Sequence, residues 1–114
     1  MKLRRDWKEI GLWTLGKRWR FHVTGNSMLP TLRHGEDVLV HPVSKSAKIF
    51  PGEIVVCRHP HKPKVRMIKR VTEAFYDGSY YVLSDNESEG SGDSRTLGPF
   101  DRRLIIGRVT SRLI

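Results

Sequence analysis

From Phe21 onward the chain runs in short stretches of alternating apolar and polar residues, broken by Gly, Pro, Asp and Asn. The stretches are Arg20–Val23, Asp37–Val40, Glu53–Arg58, Val65–Thr72, Ser79–Leu83 and Leu104–Thr110. A period near two predicts strands. Turn residues separate them at Arg33-His34-Gly35-Glu36, Phe50-Pro51-Gly52, His59–Pro63, Asp77-Gly78 and Ser84–Pro99. Asp77-Gly78 predicts a hairpin, because Asp-Gly readily takes the positive φ values of a tight turn. Only residues 1–20 show helical spacing: Trp7, Ile10 and Trp13 recur every three residues, with Leu12, Leu15 and Trp19 nearby. The pattern predicts an all-β antiparallel fold, a sandwich or partly open barrel, in one domain over 21–114 behind a short helix or arm over 1–20.

Length and charge narrow this picture. A chain of 114 residues has room for one modest core. Its 21 Lys+Arg against 12 Asp+Glu give +9, which admits nucleic acid, anionic membrane or an acidic protein as partner. The arm carries Lys2, Arg4, Arg5, Lys8, Lys17, Arg18 and Arg20 against Asp6 and Glu9. Two readings of it stay open: its tryptophans pack on the domain, or it forms an interfacial helix touching an anionic membrane or a partner. The apolar stretch Ile10–Gly16 is far short of the roughly 18–20 residues that cross a bilayer. Met1–Arg5 begins like a signal peptide, but Asp6, Lys8 and Glu9 interrupt it and no small-residue cleavage site follows, so a soluble chain is expected.

Charge is also segregated, with eight Lys/Arg and one acid over 44–70 and six acids with Arg95 alone over 77–101. That is either a mutual electrostatic fit, a solvated face or a groove for an extended peptide. One cysteine, Cys57, leaves no internal disulfide and no Cys-based zinc site, and suits a reducing compartment. His59 and His61 flank Pro60 and read as a solvated loop. His22, His34 and His41 are scattered, so no metal or other cofactor is expected.

Two residues do not look like packing. Ser27 lies in Val23-Thr24-Gly25-Asn26-Ser27-Met28-Leu29-Pro30-Thr31-Leu32. Gly25 permits close backbone approach and Pro30 stiffens the turn behind it. Ser27 is therefore either a turn or capping serine, or a nucleophile whose own N–H faces a substrate carbonyl. In Val65-Arg66-Met67-Ile68-Lys69-Arg70-Val71, alternation puts Lys69 on the face of Val65, Met67 and Val71. That lysine either snorkels at the sheet margin or is buried and discharged. Together the two suggest a mechanism. A serine hydroxyl needs a base to take its proton, and a neutral amine can serve once burial has lowered its pKa from ~10.4 towards 7. The apolar face is then a requirement of the chemistry.

Gly25–Leu32 with Gly35-Glu36-Asp37-Val38-Leu39-Val40 resembles the nucleophile box of type I signal peptidases. Pro51-Gly52-Glu53-Ile54-Val55-Val56 and Ile68-Lys69-Arg70-Val71 resemble the boxes that end in their catalytic lysine. Ser84-Asp85-Asn86, Ser91-Gly92-Asp93-Ser94-Arg95, Gly98-Pro99 and Ile105–Val109 are similar to their last box. The resemblance implies a signal peptidase or self-cleaving-repressor-like β fold and a serine endopeptidase. It implies Ser27 as nucleophile and Lys69 as general base, with Ser91 orienting the lysine amine and an Asp93–Arg95 ion pair holding the last box. The Ser27 N–H would be one oxyanion donor. Many relatives have a serine at the Gly25 position, so the second donor here would come from backbone, that of Gly25 included, from water or from Asn26. Ser84 stands where the family usually has glycine.

The compact chain, without an anchor or an inserted β-domain after the lysine, is further similar to the bacterial maturation proteases of nickel-type superoxide dismutase. That similarity implies a cytoplasmic enzyme whose partner is the N-terminal propeptide of a dismutase precursor, with no nucleic acid and at most weak membrane contact through the arm. General processing of exported precursors is the alternative. A basic nucleic-acid-binding module is a third, but outside the arm the basic residues lack interleaved aromatics. Substrate is expected as an added strand near Ser27 and Lys69, with Met28, Leu29, Val65 and Met67 lining the subsite before the scissile bond.

Overall fold

The computed structural model of the chain describes residues 3–113, save the side chains at 90–91. Its elements are α1 (Trp7–Thr14), β1 (Trp19–His22), β2 (Asp37–Pro42), β3 (Ile54–Arg58), β4 (Arg66–Ala74), β5 (Ser79–Leu83), α2 (Ser94–Leu97), β6 (Phe100–Asp101) and β7 (Ile105–Arg112), with short 3-10 turns at Glu87–Gly92 and Arg102–Leu104. The strands form one curled antiparallel sheet, a half-barrel, in the order β1-β2-β7-β3-β4-β5-β6. The predicted all-β fold is present, and all six predicted strands fall within two residues of their expected limits. The two-residue β6 had no signal of its own.

Both faces of the sheet are covered. Val23, Met28, Leu32, Val38, Val40, Ile54, Val56, Ile68 and Val109 cluster on one side. Ile49, Val55, Cys57, Val71, Val82, Phe100 and Ile105 cluster on the other, with Met67 against them. This explains Ile54-Val55-Val56-Cys57: β3 is central and buried on both faces, so its apolar residues run on without alternating. β7 threads between β2 and β3 and alternates strictly between buried and half-buried positions. Gly107 is required there, since a Cβ would lie 2.3 Å from a Val40 methyl.

Asp6 caps α1 by accepting from the Lys8 N–H at 2.9 Å. The arm is pinned along β7, with the Asp6 N–H donating to Ser111 Oγ at 2.9 Å and the Arg112 N–H to the Arg4 carbonyl at 3.1 Å. The inward face of α1 differs from the tryptophan stripe that the spacing suggests. Glu9 is the buried residue, held by Arg18 at 2.7 Å, while Trp7 is 72% exposed. Trp19, already in β1, packs on the core. Among the described residues no helix is long and apolar enough to cross a membrane.

Candidate active site

Ser27 and Lys69 line one pocket of about 190 Å³, together with Phe21, Thr24, Arg66, Met67 and Ile68. Lys69 comes from the middle of β4, where Val55 of β3 is its cross-strand partner. It therefore shares the face of Val55, Met67 and Val71, as the alternation predicted, and is only 5% exposed. Burial in these apolar surroundings pushes its amine below the ordinary 10.5, against the opposing pull of nearby groups such as Asp93. Cys57 is buried close by, and burial pushes its thiol up to about 12, which leaves it unreactive as a nucleophile.

The amine donates to Ser84 Oγ at 3.0 Å. Among the described residues it makes no hydrogen bond to Ser27, whose hydroxyl shares the pocket without a protein partner. The register explains the contact to Ser84. Arg70 pairs with Leu83 at the end of the β4–β5 ladder, so Ser84 is the next residue, across from Lys69. The side chain of Ser91, the expected orienting group, lies outside the described residues.

Ser27 sits on the loop between β1 and β2, half-buried, with Met28 and Leu32 anchoring the loop in the core. Residues 84–86 join this loop to the lysine strand. Asp85 accepts from Arg70 Nε at 2.8 Å and Nη2 at 2.9 Å, and from Thr31 Oγ1 at 2.6 Å. The Asn86 N–H donates to the Ser27 carbonyl at 2.9 Å, and its side-chain amide to the Asn26 carbonyl at 3.0 Å. Burial by itself would raise the Asp85 pKa, but the hydrogen bonds from Arg70 and Thr31 outweigh it and hold the carboxyl below the ordinary 3.8. The roles of Asp85 and Asn86 had no local sequence signal beyond their place in the last box.

Asp93 is fully buried. It accepts from the Ser84 N–H at 2.8 Å, the Arg95 N–H at 2.9 Å and Arg95 Nη2 at 2.8 Å. Burial opposes its ionisation, yet the Arg95 bonds and the Ser84 N–H hold it below 3.8. The Asp93–Arg95 ion pair thus grips the backbone of Ser84, the residue that touches the lysine amine.

Other expected site residues fall elsewhere. The Gly25 N–H donates to His34 Nδ1 at 2.9 Å and is not free to serve an oxyanion, although its φ of +82° is the turn conformation expected of glycine. The Ser27 and Asn26 N–H groups have no protein partner among the described residues. Met28 is fully buried in the core and does not line this pocket, because the turn after Ser27 aims it inward. Val65 precedes β4 and is 41% exposed, outside the pocket wall, so the apolar face begins at Met67. Leu29 is half-buried and does not line the pocket either. Phe21, Thr24, Arg66 and Ile68 line it instead, and Arg66 is placed by stacking its guanidinium 5.7 Å from the Trp19 ring.

This fold and its four ordered blocks have counterparts. Residues 14–110 match the Peptidase S24-like family, and the chain belongs to it. It is 31% identical over 109 residues to mitochondrial inner membrane protease subunit 1 of Xenopus tropicalis, covering 79% of this chain and 65% of that protein. It is 31% identical over 115 residues to mitochondrial ATP-independent inner membrane protease subunit 1a of Arabidopsis thaliana, covering 81% and 68%. The human subunit 1 is 30% identical over 105 residues, and the chain spans 63% of its length.

Proposed function

We propose that the protein is a serine endopeptidase with a Ser27–Lys69 dyad that removes an N-terminal segment from a precursor protein. The observation that carries this reading is the buried lysine sharing a pocket with an accessible serine, in a chain of a peptidase family. Ser27 Oγ attacks the scissile carbonyl while Lys69 Nζ takes its proton. The negative oxygen that forms is met by the Ser27 N–H, a donor whose removal in comparable sites costs about 3 kcal/mol. Collapse expels the new amine, which takes the proton back from Lys69. Water, deprotonated by the Lys69 amine, then attacks the acyl ester, and Lys69 returns that proton to Ser27 Oγ as the acid leaves.

The sheet offers a place for an extended substrate. β5 pairs with β4 only from Arg70 onward, so along Arg66–Lys69 the side of β4 away from β3 has no ladder partner among the described residues. A substrate strand added there passes Ser27 and Lys69.

The finer reading is that the substrate is the propeptide of a nickel-type superoxide dismutase precursor, cut in the cytoplasm. The likeness to inner membrane protease subunits favours a second reading, signal-peptidase-like processing of exported or sorted precursors. Incubating the purified chain with a dismutase precursor and with a precursor bearing a cleavable leader, then sequencing the new N-termini, separates the two. Cleavage of neither precursor, or cleavage that persists in Ser27→Ala, overturns the peptidase assignment.

A further inference from the structure

Ser84 stands where the resembled family usually has glycine, and its hydroxyl occupies the one hydrogen bond that the Lys69 amine makes among the described residues. Both residues are buried, Ser84 at 4% exposure. The hydroxyl also lies 3.2 Å from the Glu89 carbonyl oxygen, to which it donates. A carbonyl can only accept, and a serine has a single proton to give. That proton is committed to Glu89, so the lone pairs of Ser84 Oγ are what the lysine meets.

The consequence for a neutral amine is geometric. It has two N–H bonds and one lone pair. One N–H is fixed on Ser84, and the pocket shared with Ser27 is the open side. Ser84 itself cannot easily shift. Its N–H donates to Asp93 Oδ2 at 2.8 Å, and its carbonyl accepts from Arg95 Nη2 at 3.4 Å.

We propose that Ser84 is a positioning residue that fixes one N–H of the Lys69 amine through an acceptor-only hydroxyl, leaving the amine's lone pair to the pocket that holds Ser27. The Asp93–Arg95 pair then acts on the amine at one remove, by locking Ser84. This inference rests on the dyad reading and adds to it a second serine.

The test uses the full chain with Ser84→Ala, Ser84→Thr and Ser91→Ala, reading cleavage kinetics and, separately, the titration of the Lys69 amine by NMR with labelled lysine. Ser84→Ala is expected to lower kcat by about 10- to 100-fold with KM little changed, the scale of a misplaced catalytic group. Its Lys69 midpoint should move down, because the ammonium is the stronger donor and loses its acceptor. Ser84→Thr, which keeps the hydroxyl, is expected to recover most of the rate. A Ser84→Ala protein with wild-type kcat and titration overturns the proposal, all the more if Ser91→Ala changes both. A loss of rate with an unmoved titration also overturns it, since packing alone would then account for the loss. If the titration moves but neither wild type nor variant cleaves, the Ser84 contact stands and the peptidase reading falls.

Discussion

The two halves of the site are built differently. Lys69 is locked into β4 against β3, covered on its face by Val55, Met67 and Val71, and met by a buried hydroxyl. Ser27 rides on a loop whose apolar residues reach into the core while its hydroxyl stays at the pocket. A base made from lysine works only if water is kept from the ammonium, so the fold embeds it. A nucleophile must reach a peptide from outside, so the fold leaves it open. The link between them is narrow, and it runs through Asp85 and Asn86.

The sharpest test of that contrast is to remove the chemistry from each half. Ser27→Ala and Lys69→Arg should each cut kcat/KM by at least about 10³-fold with the fold intact, the arginine because a guanidinium stays protonated. The pH dependence comes next. Burial lowers the Lys69 pKa, and the neutral form is the base, so the rate should climb about tenfold per unit as pH rises towards that pKa and level off above it. A flat profile from pH 5 to 9 contradicts a base titrating in that range.

Breaking the link should hurt both halves. Asp85→Ala leaves Arg70 and Thr31 without their shared acceptor, and is expected to cost about 3 kcal/mol in urea unfolding as well as rate. The stabilising contributions of Asp85 and Asp93 share a pH window. Both carboxyls titrate below the ordinary 3.8 in the fold, so this stability is complete above that value and lost as pH falls through the folded pKa values. Asp85→Asn should flatten the acid limb of a stability profile measured by thermal melts.

A smaller effect has the opposite sign. Keeping an amine buried below its ordinary pKa favours the unfolded chain at neutral pH, so Lys69→Met should abolish cleavage while raising stability by about 1 kcal/mol, roughly 5 °C in Tm. A fall in Tm would mean that the lysine is a structural residue. Asn86→Ala should be mildest. It removes the exposed side-chain bond to the Asn26 carbonyl and those its Oδ1 accepts from the Ser88 N–H and hydroxyl, but keeps the N–H bond to Ser27, for a loss of about 1 kcal/mol and a rate change of a few fold.

Much of this was legible before any coordinates. Strand alternation set Lys69 beside Met67 and Val71 and opposite Ile68, and the ordered boxes pointed to Ser27. Three expectations failed for reasons the local pattern cannot carry. Met28 follows the serine but turns into the core, Val65 ends outside the strand, and the Gly25 N–H is taken by His34 from nine residues away. Glu9 shows the same limit in the arm, where pairing with Arg18 decides which side of α1 faces inward.

By itself the sequence determined which residues share a face, because the period of a strand is set by the backbone. Which groups meet across strands was left to the tertiary structure. A plain two-residue turn at Asp77-Gly78 would put Asn86 opposite Lys69; the longer turn over 75–78 and the irregularity between Val71 and Glu73 put Ser84 there. Register accumulates every local insertion along a hairpin, so the partner of a buried amine is fixed only when the whole ladder is closed.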